Sequence, residues 1–224
     1  MFQDRVDGVQ QLARALGGYR EFHPIVVALP RGGVPVGYEV ARAFDADLDV
    51  IVVRKLGAPG NPEFAIGAIA PGITEVNRSV VDRYGIPERY IEDVIRQERA
   101  ELARQARLYR SGRDSIQVAG RTVLVIDDGL ATGATASAAV ASIRTHGPDR
   151  VIFGAPVCAC DSATDLAPKT DGVVCVLRPR DFAAVSVWYR DFTPTTDRDV
   201  TDCLNRAARA RPPVGSQPWE RERS

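Results

Sequence analysis

Long apolar runs are missing from this chain, and none reaches the roughly eighteen residues that a membrane span requires. A net charge is missing too: 29 basic and 29 acidic side chains cancel, which argues against a polybasic membrane patch or a non-specific nucleic-acid coat. Any anion binding must therefore come from local charge. Histidine is scarce, and His23 and His146 lie far apart. His23 precedes Pro24 at a strand entrance, and His146 falls in the last turn of a helix, where the dipole favours it, so neither is a candidate catalyst. The four cysteines (Cys158, Cys160, Cys175 and Cys203) have no zinc-ligand spacing. Cys158 and Cys160 alternate with alanines in a strand-like run, so both can face one side of a sheet, and they read as small buried core residues rather than as a redox or metal site. No Gly-Lys-Ser/Thr follows a glycine loop, which removes a Walker-type nucleotide site. The first seven residues are charged and lack the apolar core of a signal peptide, so the expected location is cytoplasmic.

What is present is organised around Thr122 to Thr135. Val123 to Ile126 is a short β-branched apolar run, suited to a strand buried on both faces of a parallel sheet. Asp127 and Asp128 stand at its carboxyl end, a loop of small residues follows, and a helix begins near Thr132 to Thr135. Free N–H groups in a first helical turn bind anions, with the dipole adding about 0.3–1 kcal/mol. Carboxylates accept hydrogen bonds from vicinal hydroxyls, each charge-assisted bond contributing about 1.5–3 kcal/mol. Two acids followed by a phosphate cradle describe a site for a sugar phosphate with free hydroxyls.

The same architecture occurs earlier. Phe2, Val6, Val9, Ala13 and Leu16 recur at helical spacing until Gly17-Gly18. Ile25 to Leu29 reads as a buried strand, followed by Pro30-Arg31-Gly32-Gly33 and a helix from about Val34 with Val36, Val40 and Phe44 along its apolar stripe. Strand, glycine turn and helix start again build an anion site, here beside a guanidinium. Leu48 to Val53 reads as the next strand, ending in Arg54-Lys55; these cations are either solvated or face the ligand crevice at the carboxyl edge of a doubly wound sheet. Residues 56–72 are rich in glycine and proline; Phe64 to Ile69 reads as a strand and Gly57 to Glu63 as a mobile loop. Val76 to Tyr84 reads as a further strand. Pro87 then opens a helix to about Arg110, some 36 Å long, with Glu92–Arg96 and Glu101–Arg104 pairs on its surface. Two more core strands, Val151 to Val157 and Val173 to Leu177, flank a helical crossover over Asp161 to Asp171. Phe182 to Asp199 carries Trp188, Tyr189 and Phe192, a closing helix runs from Asp199 to Arg211, and the polar residues to Ser224 read as a disordered tail. With 224 residues, no internal repeat and no linker, the pattern predicts one α/β domain over 1–210 with an insertion at about 56–112.

The 122–135 stretch resembles the signature of type I phosphoribosyltransferases, and Pro-Arg-Gly-Gly with the Trp-Tyr-x-x-Phe segment is similar to uncharacterised bacterial members, over about residues 1–205. The resemblance implies a Rossmann-like, doubly wound, mostly parallel sheet with flanking helices, a flexible loop and helical insertion, and a small C-terminal hood at about 180–205. It implies that Asp127 and Asp128 hold the ribose hydroxyls of phosphoribosyl pyrophosphate, and that Ala131, Thr132, Gly133, Ala134 and Thr135 hold the 5′-phosphate. Arg31, Gly32, Gly33 and Lys55, with Arg54, then face the pyrophosphate. Mg²⁺ is implied as cofactor, bound through substrate or indirectly by Asp127 and Asp128. Trp188 or Tyr189 resembles a base-stacking platform by position; hydrophobic filling at a sheet edge is the other reading of the same aromatics. Family members using 6-oxopurines carry an aspartate where this chain has Ala131, which counts against those bases. The expected activity is transfer of the phosphoribosyl group to an unidentified nucleobase-like acceptor, as in nucleotide salvage. A non-catalytic phosphoribosyl pyrophosphate sensor and a hydrolase of the same sugar phosphate are the alternatives. No nucleic-acid or membrane partner is expected, and the long helix offers a surface for a homodimer.

Overall fold

The structure is a computed structural model that describes residues 1–110 and 116–210. The expected tail at 211–224 and the side chain of Glu63 lie outside the described residues. Five strands form one parallel sheet: β1 (Ile25–Ala28), β2 (Leu48–Val50), β6 (Thr122–Ile126), β7 (Arg150–Val157) and β8 (Gly172–Leu177), in the order β2-β1-β6-β7-β8. The doubly wound sheet expected from the sequence is the one the chain adopts.

Alternation along β6 explains its apolar run. Val123 and Val125 enter one core with Ile25, Val27, Phe153 and helix α5 (Ala134–Arg144). Leu124 and Ile126 enter the opposite core with helices α1 (Arg5–Ala15) and α2 (Gly33–Phe44). A strand covered on both faces must be apolar at successive positions, as a parallel sheet requires. From β1 the chain winds through α2 to β2 on one side; from β6 it winds through α5 to β7 on the other. The winding direction therefore reverses between β1 and β6. Their carboxyl ends open the crevice in which doubly wound sheets bind ligands.

The insertion corrects several expectations. Gly57 to Glu63 is no loop: β3 (Arg54–Ala58), β4 (Asn61–Ala70) and β5 (Ile73–Val76) form a separate antiparallel sheet. Its two turns are Pro59-Gly60 and Pro71-Gly72, with φ of +73° and +74° at the glycines. The glycine and proline content that suggests mobility is the turn chemistry of two hairpins. The expected strand from Val76 to Tyr84 is helix α3 (Arg78–Tyr84), because Asn77 caps its amino end through the Val80 N–H and Gly85 ends it in the left-handed region. The predicted strand from Leu48 to Val53 stops at Val50, and Ile51 to Val53 lead out to the hairpin.

Helix α4 (Glu88–Arg110) buries Ile91 and Tyr109. Arg104 pairs with Glu101 as expected, but Arg96 pairs with Asp93 rather than Glu92, three residues instead of four away. His146 lies two residues past the end of α5, within 2.9 Å of the Ser142 carbonyl through Nδ1. Cys158 is buried as predicted but is disulfide-bonded to Cys175, whereas Cys160 opens helix α6 (Cys160–Leu166) and is exposed. The strand-like alternation ends at Cys158, so the two cysteines do not share a face.

The expected hood divides in two. Residues 182–192 pack with Phe2 beyond β7 and β8, whereas helix α7 (Asp197–Ala210) crosses to the β2 edge and packs on α2 and α4. No helix among the described residues is long and apolar enough to cross a membrane. If the β3–β4 hairpin is as ordered as its pairing implies, amides within β4 will exchange slowly in hydrogen–deuterium exchange. Exchange at the rate of an unstructured peptide would restore the mobile loop.

Candidate sugar-phosphate site

β6 delivers Asp127 and Asp128 to the mouth of the crevice. The Asp127 N–H donates to the Gly154 carbonyl (3.1 Å), and its Oδ1 accepts the Asp128 N–H (2.8 Å). Burial and the adjacent Asp128 hold the Asp127 carboxyl well above the ordinary value of 3.8. Burial also raises Asp128, opposed by the Arg5 guanidinium. The β1–α2 turn lies directly against the pair, and the Pro30–Arg31 peptide in it is cis. A Cβ on Gly32 would stand 1.8 Å from Asp128 Oδ2, and one on Gly33 would stand 2.8 Å from the Ile126 carbonyl and the Asp127 Cα. Only glycine admits this approach of two strand-end loops. Gly32 has ordinary helical φ and ψ of −61° and −32°, so proximity rather than backbone conformation requires it.

The loop after the acids is pinned at its middle. The Leu130 N–H donates to the Val157 carbonyl (2.8 Å), the Leu130 carbonyl accepts from the Ala159 N–H (2.7 Å), and the Ser162 hydroxyl donates to the Ala131 carbonyl. Gly133, at φ +75°, then turns the chain into α5, whose first turn has no side-chain cap. Ala131 and Thr132 are exposed there, and Gly133, Ala134 and Thr135 are half-buried. Uncapped N–H groups at the start of a well-anchored helix form an anion cradle.

Beyond the β1 turn opens a polar cleft of about 310 Å³, lined by Arg31, Arg54, Glu101, Arg104, Tyr109 and Asp197 among others. Each of its three guanidiniums has a carboxylate partner: Arg31 lies 4.0 Å from Asp197, Arg54 2.7 Å from Glu98, and Arg104 2.7 Å from Glu101. The Tyr109 hydroxyl donates to Asp197 (2.6 Å), and burial together with this bond pushes its pKa up. Arg31 and Arg54 thus line the same cleft. Lys55 is exposed on β3, close enough to counter part of the rise at Asp127. A larger cavity of about 570 Å³, between the hairpin tip and the start of α4, shares no lining residue with the acids or their loops.

Arg5 escapes the sequence reading, and Tyr189 enters it as a stacking candidate but not as a partner of the acids. Arg5, the first residue of α1, forks onto Asp128 Oδ2 with Nε at 3.4 Å and Nη2 at 3.3 Å. Tyr189 is buried, stacks between Phe2 and Phe192 at 5.3 and 5.1 Å, and donates its hydroxyl to the Asp128 carbonyl (2.7 Å). Its hydroxyl thereby supports the acid from below. Trp188 is half-buried in the same aromatic cluster, with its indole Nε1 enclosed and unpaired. One signal for Arg5 is its position, since a cation in the first turn opposes the helix dipole and calls for a partner elsewhere.

Among the described residues, no group of three or more His, Cys, Asp or Glu side chains forms a metal cage. A magnesium ion held mainly by substrate phosphates needs only one or two carboxylates, and the hard oxygens of Asp127 and Asp128 fit that requirement.

A parallel sheet with an acid pair and two glycine turns at its switch point defines a doubly wound α/β domain with a ligand crevice at its strand ends. The phosphoribosyl transferase domain model matches residues 3–190. "Putative phosphoribosyl transferase Rv0571c" of Mycobacterium tuberculosis is 44% identical over 210 residues, covering 93% of this chain and 47% of that protein. The crystal structure of TT1426 from Thermus thermophilus is 40% identical with a TM-score of 0.77, covering 91% of this chain and 97% of that one. The chain therefore belongs to the phosphoribosyl transferase domain family. It spans about half the length of the curated relatives it matches.

Gly32→Ala tests the close approach. The added methyl must displace the Asp128 carboxylate, so denaturant unfolding should show a stability loss of about 1–3 kcal/mol. Asp127→Asn tests the buried charge. Folding raises this carboxyl's pKa, so its contribution to stability is intact below about pH 4 and is lost as pH rises toward the raised value. The variant should therefore match wild type in denaturant unfolding at about pH 3.5 and exceed it at about pH 7, while losing ligand binding. A variant less stable than wild type at neutral pH would remove the burial argument.

Proposed function

We propose that this domain binds phosphoribosyl pyrophosphate with Mg²⁺ and transfers its 5-phosphoribosyl group to a nucleobase-like acceptor, releasing pyrophosphate. The observation that carries the reading is the convergence of two glycine turns on one acid pair, with Gly32 and Gly33 packed against Asp128 and Asp127. Asp127 and Asp128 accept hydrogen bonds from the ribose 2′- and 3′-hydroxyls. The amides from Ala131 to Thr135 hold the 5′-phosphate at the start of α5. Those of Arg31 and Gly32 face the pyrophosphate, with the Arg31, Arg54 and Lys55 cations beside them. Bound magnesium supplies positive charge to the leaving phosphate oxygens.

In the reaction, the bond from the anomeric carbon to pyrophosphate breaks with its electron pair on oxygen. A ring nitrogen of the acceptor forms the new bond to that carbon, and its proton leaves to solvent. Positive charge develops on the ribose as this happens, and an acid pair held at its hydroxyls opposes it. The residues position and polarise; no covalent nucleophile is required. The acceptor enters from the side of residues 182–192, where Trp188 is the proposed platform.

Incubation with Mg²⁺, phosphoribosyl pyrophosphate and a panel of free bases, followed by pyrophosphate assay, tests the proposal. Release dependent on one base and abolished by Asp128→Ala is the expected result. Base-independent release with ribose 5-phosphate as co-product would make it a hydrolase. Binding without turnover across the panel would make it a sensor.

A further inference from the structure

Arg5 is committed to three partners at once. Its fork grips Asp128 Oδ2, its Nη1 donates to the Thr193 carbonyl (2.7 Å), and its guanidinium lies 4.0 Å from the centroid of the Phe192 ring. The Arg5 and Asp128 side chains are only 16% and 14% exposed. Both forking nitrogens converge on Oδ2, leaving Oδ1 outside the ion pair. The main chain is tied as well: the Phe2 N–H donates to the Trp188 carbonyl, and Phe2 and Gln3 carbonyls accept from the Arg190 and Asp191 N–H groups. The amino-terminal segment, the 182–193 segment and the acid pair are therefore one bonded unit, with Arg5 at the junction.

A scaffold role alone does not call for this side chain. An apolar residue would cover Phe192 equally well and would not set a cation against the helix dipole. Two guanidinium donors on one carboxylate oxygen, in contrast, hold that oxygen in place and so restrict the side-chain rotamer. We propose that Arg5 is a positioning residue of the donor site, which orients the Asp128 carboxylate for the ribose and links its orientation to the 182–193 segment. Arg5 acts through Asp128 and touches no reacting atom. This inference rests on reading the acid pair as the phosphoribosyl pyrophosphate site.

Titration calorimetry with Mg²⁺ and phosphoribosyl pyrophosphate on wild type, Arg5→Met and Arg5→Lys tests it. Methionine keeps an apolar stem on Phe192 and removes the fork; lysine keeps the charge. Arg5→Met should weaken binding about 10–100-fold, the usual cost of losing a group that orients a ligand, and Arg5→Lys should recover part of the loss. Wild-type affinity in Arg5→Met, or equal weakness in both variants, would overturn the positioning role while leaving the donor reading intact. Absence of binding by wild type itself would overturn the donor reading, and this inference with it. Thermal unfolding of Arg5→Met, Asp128→Asn and the double variant supplies the second readout. The two losses should be strongly non-additive; simple addition would show that Arg5 does not act through Asp128.

Discussion

Two carboxylates on successive residues at the end of a buried strand are an unfavourable arrangement, and the surrounding structure answers it. Each loses hydration, and Asp128 raises the cost of ionising Asp127. The Asp128 N–H and Lys55 favour the charged form of Asp127, and Arg5 favours that of Asp128. Burial nevertheless dominates at both, so the pair stands poised for partners that donate hydrogen bonds. Vicinal hydroxyls are such partners. On the proposed reading, this energetic tension favours a sugar with free hydroxyls over a simple anion.

The parallel sheet sets where that tension can be placed. Side chains at strand ends are available to ligand only where neighbouring connections leave in opposite directions, and in this chain that happens once among the described strands, between β1 and β6. Gly32 and Gly33 let the first connection lie against the second. Gly129 repeats the device on the other side, since a Cβ there would stand 2.5 Å from Val185. Main-chain groups can then crowd the ligand from three directions without side chains intervening. The proposed ligand, with two phosphorylated ends, would need this density of N–H groups more than charge.

Much of this was legible because the signal is local. A β-branched run, two acids, small residues and a helix start follow one another within a single short stretch, and each step has a physical reading of its own. The hairpins were not, because Pro59-Gly60 and Pro71-Gly72 serve a tight turn and a mobile loop equally well in sequence. Only the pairing partner distinguishes the two, and Lys55 meets Ala68 across the strand. The strand expected at Val76 to Tyr84 failed to a cap: Asn77 and Gly85 outweigh the β-propensity of Val76, Val80 and Val81. The contacts of Arg5 and Tyr189 with the acids were illegible for a different reason. Their partner, Asp128, lies 123 and 61 residues away, and contacts at that separation leave no periodic trace in a single sequence.

The cleft beside Arg31, the proposed leaving-group side, carries little net charge. Three guanidiniums meet three carboxylates, so the cleft as a whole is close to neutral. Exposed pairs of this kind are weak, worth about 0–1 kcal/mol each, and Arg31 at 4.0 Å from a half-exposed Asp197 is the loosest of them. A polyanion offers such a cation a stronger partner at little cost in broken contacts. Arg54 is held at 2.7 Å by a Glu98 that is largely buried, and would have more to lose. Arg31 is therefore the cation best able to follow a ligand, with Arg54 serving mainly to fix the hairpin to α4. The sequence places the two residues in equivalent positions at strand ends; their counter-ions make them different.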